Sequence, residues 1–191
     1  MKLLEDRIRK DGKIKGGDVL KVDGFLNHMI DVRFVAELGA EFHRSFADCR
    51  VNKILTIESS GIGVACLTAQ FFDCPVVFAK KSKTSNMSDD VYSAEVASYT
   101  HNNVNNVTVS KEYLGKGDRV LIIDDFLARG CALKGLIDIV RQSGAELAGA
   151  GVVIEKAYQD GGAQIRASGV RVVSLARIAS MSEEDGIVFC D

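Results

Sequence analysis

The sequence predicts an α/β domain on a doubly wound parallel sheet flanked by helices, and three observations predict it. Val120-Leu121-Ile122-Ile123 is an unbroken apolar run, the pattern of a strand covered on both faces. Short β-branched segments of this kind alternate with longer helical stretches, which implies parallel neighbours joined by right-handed crossovers. Several of the strands run into segments rich in acid, hydroxyl or lysine side chains, and ligands of such sheets bind beyond the carboxyl ends of the strands.

Taken in order, Phe34, Leu38, Phe42 and Phe46 recur at four-residue spacing with Val35 beside them. They mark an amphipathic helix over 31–47 behind an Asp31 cap. Residues 53–57 (Lys-Ile-Leu-Thr-Ile) read as a strand, followed by Glu58-Ser59-Ser60-Gly61 and a small-residue helix through Gln70. Val76 to Ala79, behind the only proline, Pro75, reads as the next strand. Beyond the central run, Ala132, Leu133, Leu136, Ile137 and Val140 mark a helix that stops at Gly144, a C′ glycine. Residues 148–154 and 170–174 supply two further strands.

A chain of 191 residues suits one domain over 1–191, burying roughly 70% of the surface its unfolded form exposes. With 47% apolar residues, its core needs neither metals nor disulfides. A formal net charge of −2 argues against general affinity for nucleic acid or anionic membranes, so any anion site must be local. The five cysteines form no CxxC pair and fit idle thiols of a reducing cytoplasm. The charged start is no signal sequence, and no apolar run approaches the ~20 residues of a membrane span. His28, His43 and His101 lie far apart and suggest no metal cluster.

Three segments carry chemistry. The central run delivers Asp124 and Asp125, then Phe126-Leu127-Ala128-Arg129-Gly130-Cys131-Ala132 opens a helix. A small-residue turn at a helix N-terminus presents free N–H groups to a phosphate, and the two acids suit a ribose diol. Neighbouring strand residues face opposite ways, so both acids reach one sugar only if the strand bends at its end there. Glu58-Ser59-Ser60-Gly61-Ile62-Gly63 offers a second oxyanion cradle. Read instead as a dinucleotide fingerprint, Gly61-Ile62-Gly63-Val64-Ala65-Cys66 lacks the third glycine or alanine, and the following strand ends in Lys80-Lys81 rather than an acid. The third segment, residues 80–90, gathers Lys80, Lys81 and Lys83 and is either a lid over pyrophosphate or a solvated hairpin tip.

The central segment resembles the signature of the type I phosphoribosyltransferases for 5-phosphoribosyl-1-pyrophosphate (PRPP): four apolar residues, two acids and a short loop. The resemblance implies the family's fold, with a hood (1–31 plus C-terminal segments) over a base site and a flexible lid over 80–100. It also implies that residues 128–132 and Arg129 among them hold the 5′-phosphate, that Asp124 and Asp125 bind the ribose hydroxyls, and that Ser59, Ser60, Gly61 and Lys80 take pyrophosphate with Lys81 acting in catalysis. Arg129 stands where threonine is usual and Cys131 where glycine or a small polar residue is common. Arg129 either adds a phosphate ligand or faces solvent, and Cys131 is either a packing residue or a low-pKa thiol.

Residues 19–31, together with 152–156 and 174–178, are similar to bacterial xanthine phosphoribosyltransferases over nearly the whole chain. That likeness implies a base held by Leu20, Asn27 and Lys156. Phe126 either stacks under the purine or fills core. Xanthine carries carbonyl oxygens at C2 and C6, so donors at both ends favour it, whereas the amino group of guanine would leave buried donors unpaired. The family also implies Mg²⁺ bound mainly through PRPP, no dedicated metal ligand, and a homodimer. A guanine/hypoxanthine enzyme and a PRPP-binding regulator are the alternatives.

Overall fold

A computed structural model describes residues 1–16, 18–81, 90–98 and 103–190. In chain order the elements are α1 (Lys2–Asp11), β1 (Lys13–Lys15), β2 (Val19–Lys21), one π-helical turn (Asp23–Asn27), α2 (Val32–Ser45), β3 (Lys53–Ile57), α3 (Gly61–Phe72), β4 (Val76–Ala79), β5 (Val91–Ser98) and β6 (Asn103–Ser110). There follow β7 (Arg119–Leu127), α4 (Cys131–Ser143), β8 (Glu146–Lys156), α5 (Gly161–Ala167), β9 (Val172–Ser182) and β10 (Gly186–Phe189).

The central sheet has six strands in the order β10-β9-β8-β7-β3-β4. Strands β4, β3, β7, β8 and β9 are mutually parallel, and β10 turns back antiparallel on the β9 edge. The sheet is therefore mixed at one edge, which the expected all-parallel sheet did not include.

The alternation of β7 sorts the core. Leu121 and Ile123 pack with α2, α3 and the N-terminal segment, while Val120 and Ile122 pack with α4 and the β5–β6 hairpin. The Asp31 side chain accepts from the Phe34 amide at 3.2 Å and caps α2. Phe34, Val35, Leu38 and Phe42 face inward along that helix, each worth about 1.5–3 kcal/mol when fully buried. Gly144 adopts φ 72° at the C-cap of α4, the left-handed turn that glycine takes without penalty.

Of the expected lid over 80–100, residues 82–89 (Lys83 included) and 99–100 lie outside the described residues. Val91–Ser98 is a regular strand paired with β6, and the hairpin packs on α4. Gly135 of α4 makes room for it: a Cβ there would lie 2.6 Å from Val96 Cγ2. Eight residues of the expected lid are thus a packed strand.

On the opposite side, α1 and the β1–β2 hairpin lie beside the C-terminal strands. The Gly16 amide donates to Glu183 at 3.0 Å, and Arg9 lies 4.6 Å over the Phe189 ring.

Candidate active site

Ladder bonding explains why the site lies where it does. Strand β3 pairs with β7 only from Lys53↔Val120 to Leu55↔Ile122, then leaves through the 58–60 turn into α3. On its other side β7 stays paired with β8 through Leu127↔Glu155. The β3-facing edge of β7 is therefore open from Ile123 onward, at the point where chain connections diverge toward β4 on one hand and β8 on the other. A crevice must form there. The strand does not end at the acids but runs on to Leu127; the sheet parts beside them, and both acids line one cleft.

That cleft, of about 280 Å³, is walled by Glu58, Ser59, Ser60, Gly61, Lys81, Asp124, Asp125, Phe126 and Ala132, with Asn105 from β6. Asp124 is only 5% exposed. Its Oδ1 accepts from the Asp125 amide at 3.0 Å, and Asp125 Oδ1 accepts from the Phe126 amide at 3.0 Å. Burial, then the neighbouring Asp125 charge, pushes the Asp124 carboxyl well above the usual carboxylate range; burial also raises Asp125, and the Lys81 ammonium opposes both shifts. Unliganded, the pair is short of positive charge. It is built to receive something that donates hydrogen bonds or brings cations.

Gly61 opens α3 within reach of both walls: a Cβ there would meet Thr56 Oγ1 at 2.3 Å and Asp124 Oδ1 at 3.2 Å. Only a residue without a side chain lets the turn come this close. Thr56 Oγ1 is buried without a hydrogen-bond partner. The peptide between Glu58 and Ser59 is cis, and the Glu58 carboxylate accepts from the Lys81 amide.

A second cleft of about 450 Å³ adjoins the first, sharing Phe126 and Ala132. The loop Ala128 to Cys131 forms one wall, and Asp18, Val19, Lys156 and Gln159 form the other. Gly130 sits at the N-cap of α4 with φ 78°, and no side chain caps the helix. The free amides of the first turn therefore face a site where an anion is favoured. Arg129 is exposed and Cys131 half-buried.

The sequence-predicted residues divide accordingly. Asp124, Asp125, Lys81, Ser59, Ser60 and Gly61 meet at the first cleft; Ala128, Arg129, Gly130, Cys131 and Lys156 meet at the second; Phe126 and Ala132 stand between. Lys80 does not join them. Its backbone pairs with Thr108, and it lines a separate cleft with Val76, Phe78 and Tyr113. Just past the end of β4, the two consecutive lysines line different clefts, as side chains of an extended chain do. Leu20 is buried in the core beside α1, and its neighbours Asp18 and Val19 line the wall instead. Asn27 lines neither cleft, although its Oδ1 is buried and unpartnered.

Two clusters escaped the sequence. The Asp18 carboxylate accepts from Tyr158 at 2.6 Å and lies 3.5 Å from Lys156 Nζ, which also donates to the Asp18 carbonyl; Gln159 Nε2 is 3.4 Å away. The Tyr158 hydroxyl, then these neighbours, hold Asp18 below its usual range. Behind the second cleft, Glu155 is 2% exposed. Arg166 donates to both its oxygens at 2.7 Å, and Ser174 donates at 2.6 Å. Although burial acts to raise it, the Arg166 and Ser174 hydrogen bonds hold the Glu155 carboxyl low.

Paired carboxylates thus lie at a topological switch point, between the 58–61 turn and a helix N-terminus that no side chain caps. A model of the phosphoribosyl transferase domain matches residues 21–176, and the chain belongs to that family. It is 55% identical over 188 residues to a xanthine phosphoribosyltransferase of Lachnoclostridium phytofermentans, covering 98% of this chain and 97% of that one. It is also 55% identical over 190 residues to xanthine phosphoribosyltransferase 2 of Clostridium botulinum, covering 99% and 100%. The fold is the type I phosphoribosyltransferase fold. It superposes on adenine phosphoribosyltransferase from Trypanosoma brucei in complex with AMP, pyrophosphate and ribose-5-phosphate with a TM-score of 0.78, at 19% identity, covering 96% of this chain and 83% of that one.

Proposed function

We propose that the protein transfers the 5-phosphoribosyl group of PRPP to N9 of xanthine, giving xanthosine 5′-monophosphate and pyrophosphate in purine salvage. One observation carries the reading: two clefts meet at Phe126, one walled by twin acids and an oxyanion turn, the other by a phosphate-type loop and Lys156. A sugar bridging them has its 5′-phosphate against Ala128–Ala132, its hydroxyls on Asp124 and Asp125, and its pyrophosphate by Ser59, Ser60, Gly61 and Lys81.

In the reaction the bond from C1 to the pyrophosphate oxygen breaks, the bond from N9 to C1 forms, and the N9 proton leaves. Positive charge builds on the ribose ring as pyrophosphate departs. The two carboxylates are fixed where they stabilise that charge, and Lys81 with the backbone amides of the 59–61 turn meets the leaving group. No group of three or more His, Cys, Asp or Glu side chains converges among the described residues. Mg²⁺ held mainly by diphosphate, ribose hydroxyls and water, near Asp124 and Asp125, would neutralise charge on the leaving group. Phe126 stacks on the purine and Lys156 donates to O6, both from the second cleft; Leu20 and Asn27, which line neither cleft, carry no contact with the base in this reading. Among the described residues no helix is long and apolar enough to cross a membrane. A cytoplasmic homodimer fits this reading.

Turnover of xanthine, guanine, hypoxanthine and adenine with Mg²⁺ and PRPP tests it. Xanthine should lead by kcat/KM. Faster use of guanine would replace the base assignment, and no turnover of any base would remove the reaction.

A further inference from the structure

The loop proposed to hold the 5′-phosphate rests on α5. A Cβ on Gly161, the first residue of α5, would lie 2.3 Å from the Ala128 carbonyl oxygen, 2.4 Å from the Arg129 carbonyl carbon and 2.5 Å from the Gly130 nitrogen. Ile165, one turn on, packs within 3.0 Å of where a Gly130 Cβ would stand. The backbone of the loop thus rests on the start of α5 with no side chain between them.

What fixes α5 is Glu155. A Cβ on Gly162 would strike Glu155 Oε1 at 2.1 Å, so the helix lies directly on that carboxylate. Arg166, on the last turn, closes the contact with two parallel hydrogen bonds of 2.7 Å. The forked pairing fixes orientation as well as distance. Ser174 and Arg177 of β9 hold Glu155 Oε2 from the other side, at 2.6 and 3.4 Å. Glu155 itself stands in register with Leu127, the residue that leads into the loop. These contacts form one chain: β9 to Glu155, Glu155 to Arg166, α5 to the loop.

Resting on the proposed phosphate role of that loop, we infer that Glu155 and Arg166 are positioning residues for the sugar phosphate, acting through α5 on the backbone amides of residues 128–131. Neither needs to touch substrate. Their effect is on PRPP and not on the base, because Lys156 points to the hood while Glu155 points to α5.

The test is calorimetric binding of ribose 5-phosphate and of PRPP with Mg²⁺, beside steady-state KM values, for Arg166→Lys, Arg166→Ala and Gly161→Ala. Misplacement of a binding group by a fraction of an ångström to one ångström can cost up to about 100-fold. We expect Kd for ribose 5-phosphate to rise about 10-fold or more in Arg166→Ala and Gly161→Ala. Arg166→Lys keeps the charge without the fork and should fall between. KM for the base should stay within about two-fold. Gly161→Ala leaves the ion pair whole and tests only the contact of α5 with the loop; Arg166→Lys, which keeps the charge without the fork, tests the pair itself if Arg166→Ala fails to fold. Variants that lose thermal stability yet bind ribose 5-phosphate like the parent would reduce the cluster to ordinary core and overturn the inference. A parent protein that binds neither ribose 5-phosphate nor PRPP would instead remove the phosphate reading of the loop, a separate result.

Discussion

Replacing Asp124 by asparagine is expected to make the unliganded protein more stable while disabling it. Asp124 is 5% exposed and carries a carboxyl that titrates ordinarily near 3.8 but well above that in the fold, through burial first and the Asp125 charge second. The asparagine Oδ1 can still accept from the Asp125 amide, the bond that Asp124 makes at 3.0 Å, so nothing structural is lost. What goes is the desolvation of a charge beside a like charge, on the order of 1–3 kcal/mol. For a chain of this size that is roughly 2–12 °C in Tm, at 2–4 °C per kcal/mol. The pH dependence follows from the raised value. Below the unfolded pKa both states are protonated and the site costs nothing. As pH rises toward the folded value the unfolded chain ionises first, so the parent loses stability across that window and carries the full penalty above it. Thermal melts of parent and variant from about pH 4 to about pH 8 should show a gap that opens with pH in favour of the variant. Mg²⁺ with PRPP should raise the Tm of the parent and leave that of the variant nearly unmoved. A gap independent of pH, or a variant less stable at neutral pH, would refute the reasoning.

Asp125→Asn should lower kcat by about 100-fold or more, the scale of losing one preorganised charge at a transition state, with Tm within a few degrees; near-normal turnover ends its proposed role. Lys156→Ala should raise KM for xanthine while leaving KM for PRPP within about two-fold, and equal effects on both would count against base contact. Asp18→Asn keeps the backbone carbonyl that Lys156 bonds but weakens the grip on Tyr158 and Gln159, so it should raise the xanthine KM less than Lys156→Ala does. A larger effect would mean that Asp18 itself meets the base.

What could be read in advance was whatever rests on neighbours in sequence. The Val120–Ile123 run announced a strand buried on both faces because burial on both faces demands apolar residues at every position. Asp31 and Gly144 marked helix ends because their roles are local, a side-chain acceptor at 3.2 Å and a backbone at φ 72°. The twin acids stood out as a polar pair where the pattern called for none. Other elements left weaker traces. The hairpin strand β6 buries Val107, Thr108 and Val109 in succession, a run too short to stand out beside its polar stretch of asparagines. Helix α5 is seven residues long and begins with two glycines, too short for periodicity and too rich in glycine for propensity. Nothing in its sequence neighbours singles out Glu155. Its burial depends on Arg166, Ser174 and Arg177, which approach only once β8, α5 and β9 lie side by side. The Asp18 cluster joins residues up to 141 positions apart. The divergence of Lys80 and Lys81 was implicit in strand alternation, but lysines so close together invited a single role.

The seating of β5 against Gly135 carries a mechanical consequence. Helix α4 has the candidate phosphate loop at its N-terminus and the ribbon on its flank, with Val96 lodged where a side chain at Gly135 would otherwise stand. Val96 also lines the cleft that holds the twin acids. Ribbon, helix and cleft wall consequently share one apolar surface, and close-packed surfaces pass displacement on rather than absorb it. If residues 128–132 take the 5′-phosphate as proposed, filling that end would be felt in the ribbon that borders the twin acids.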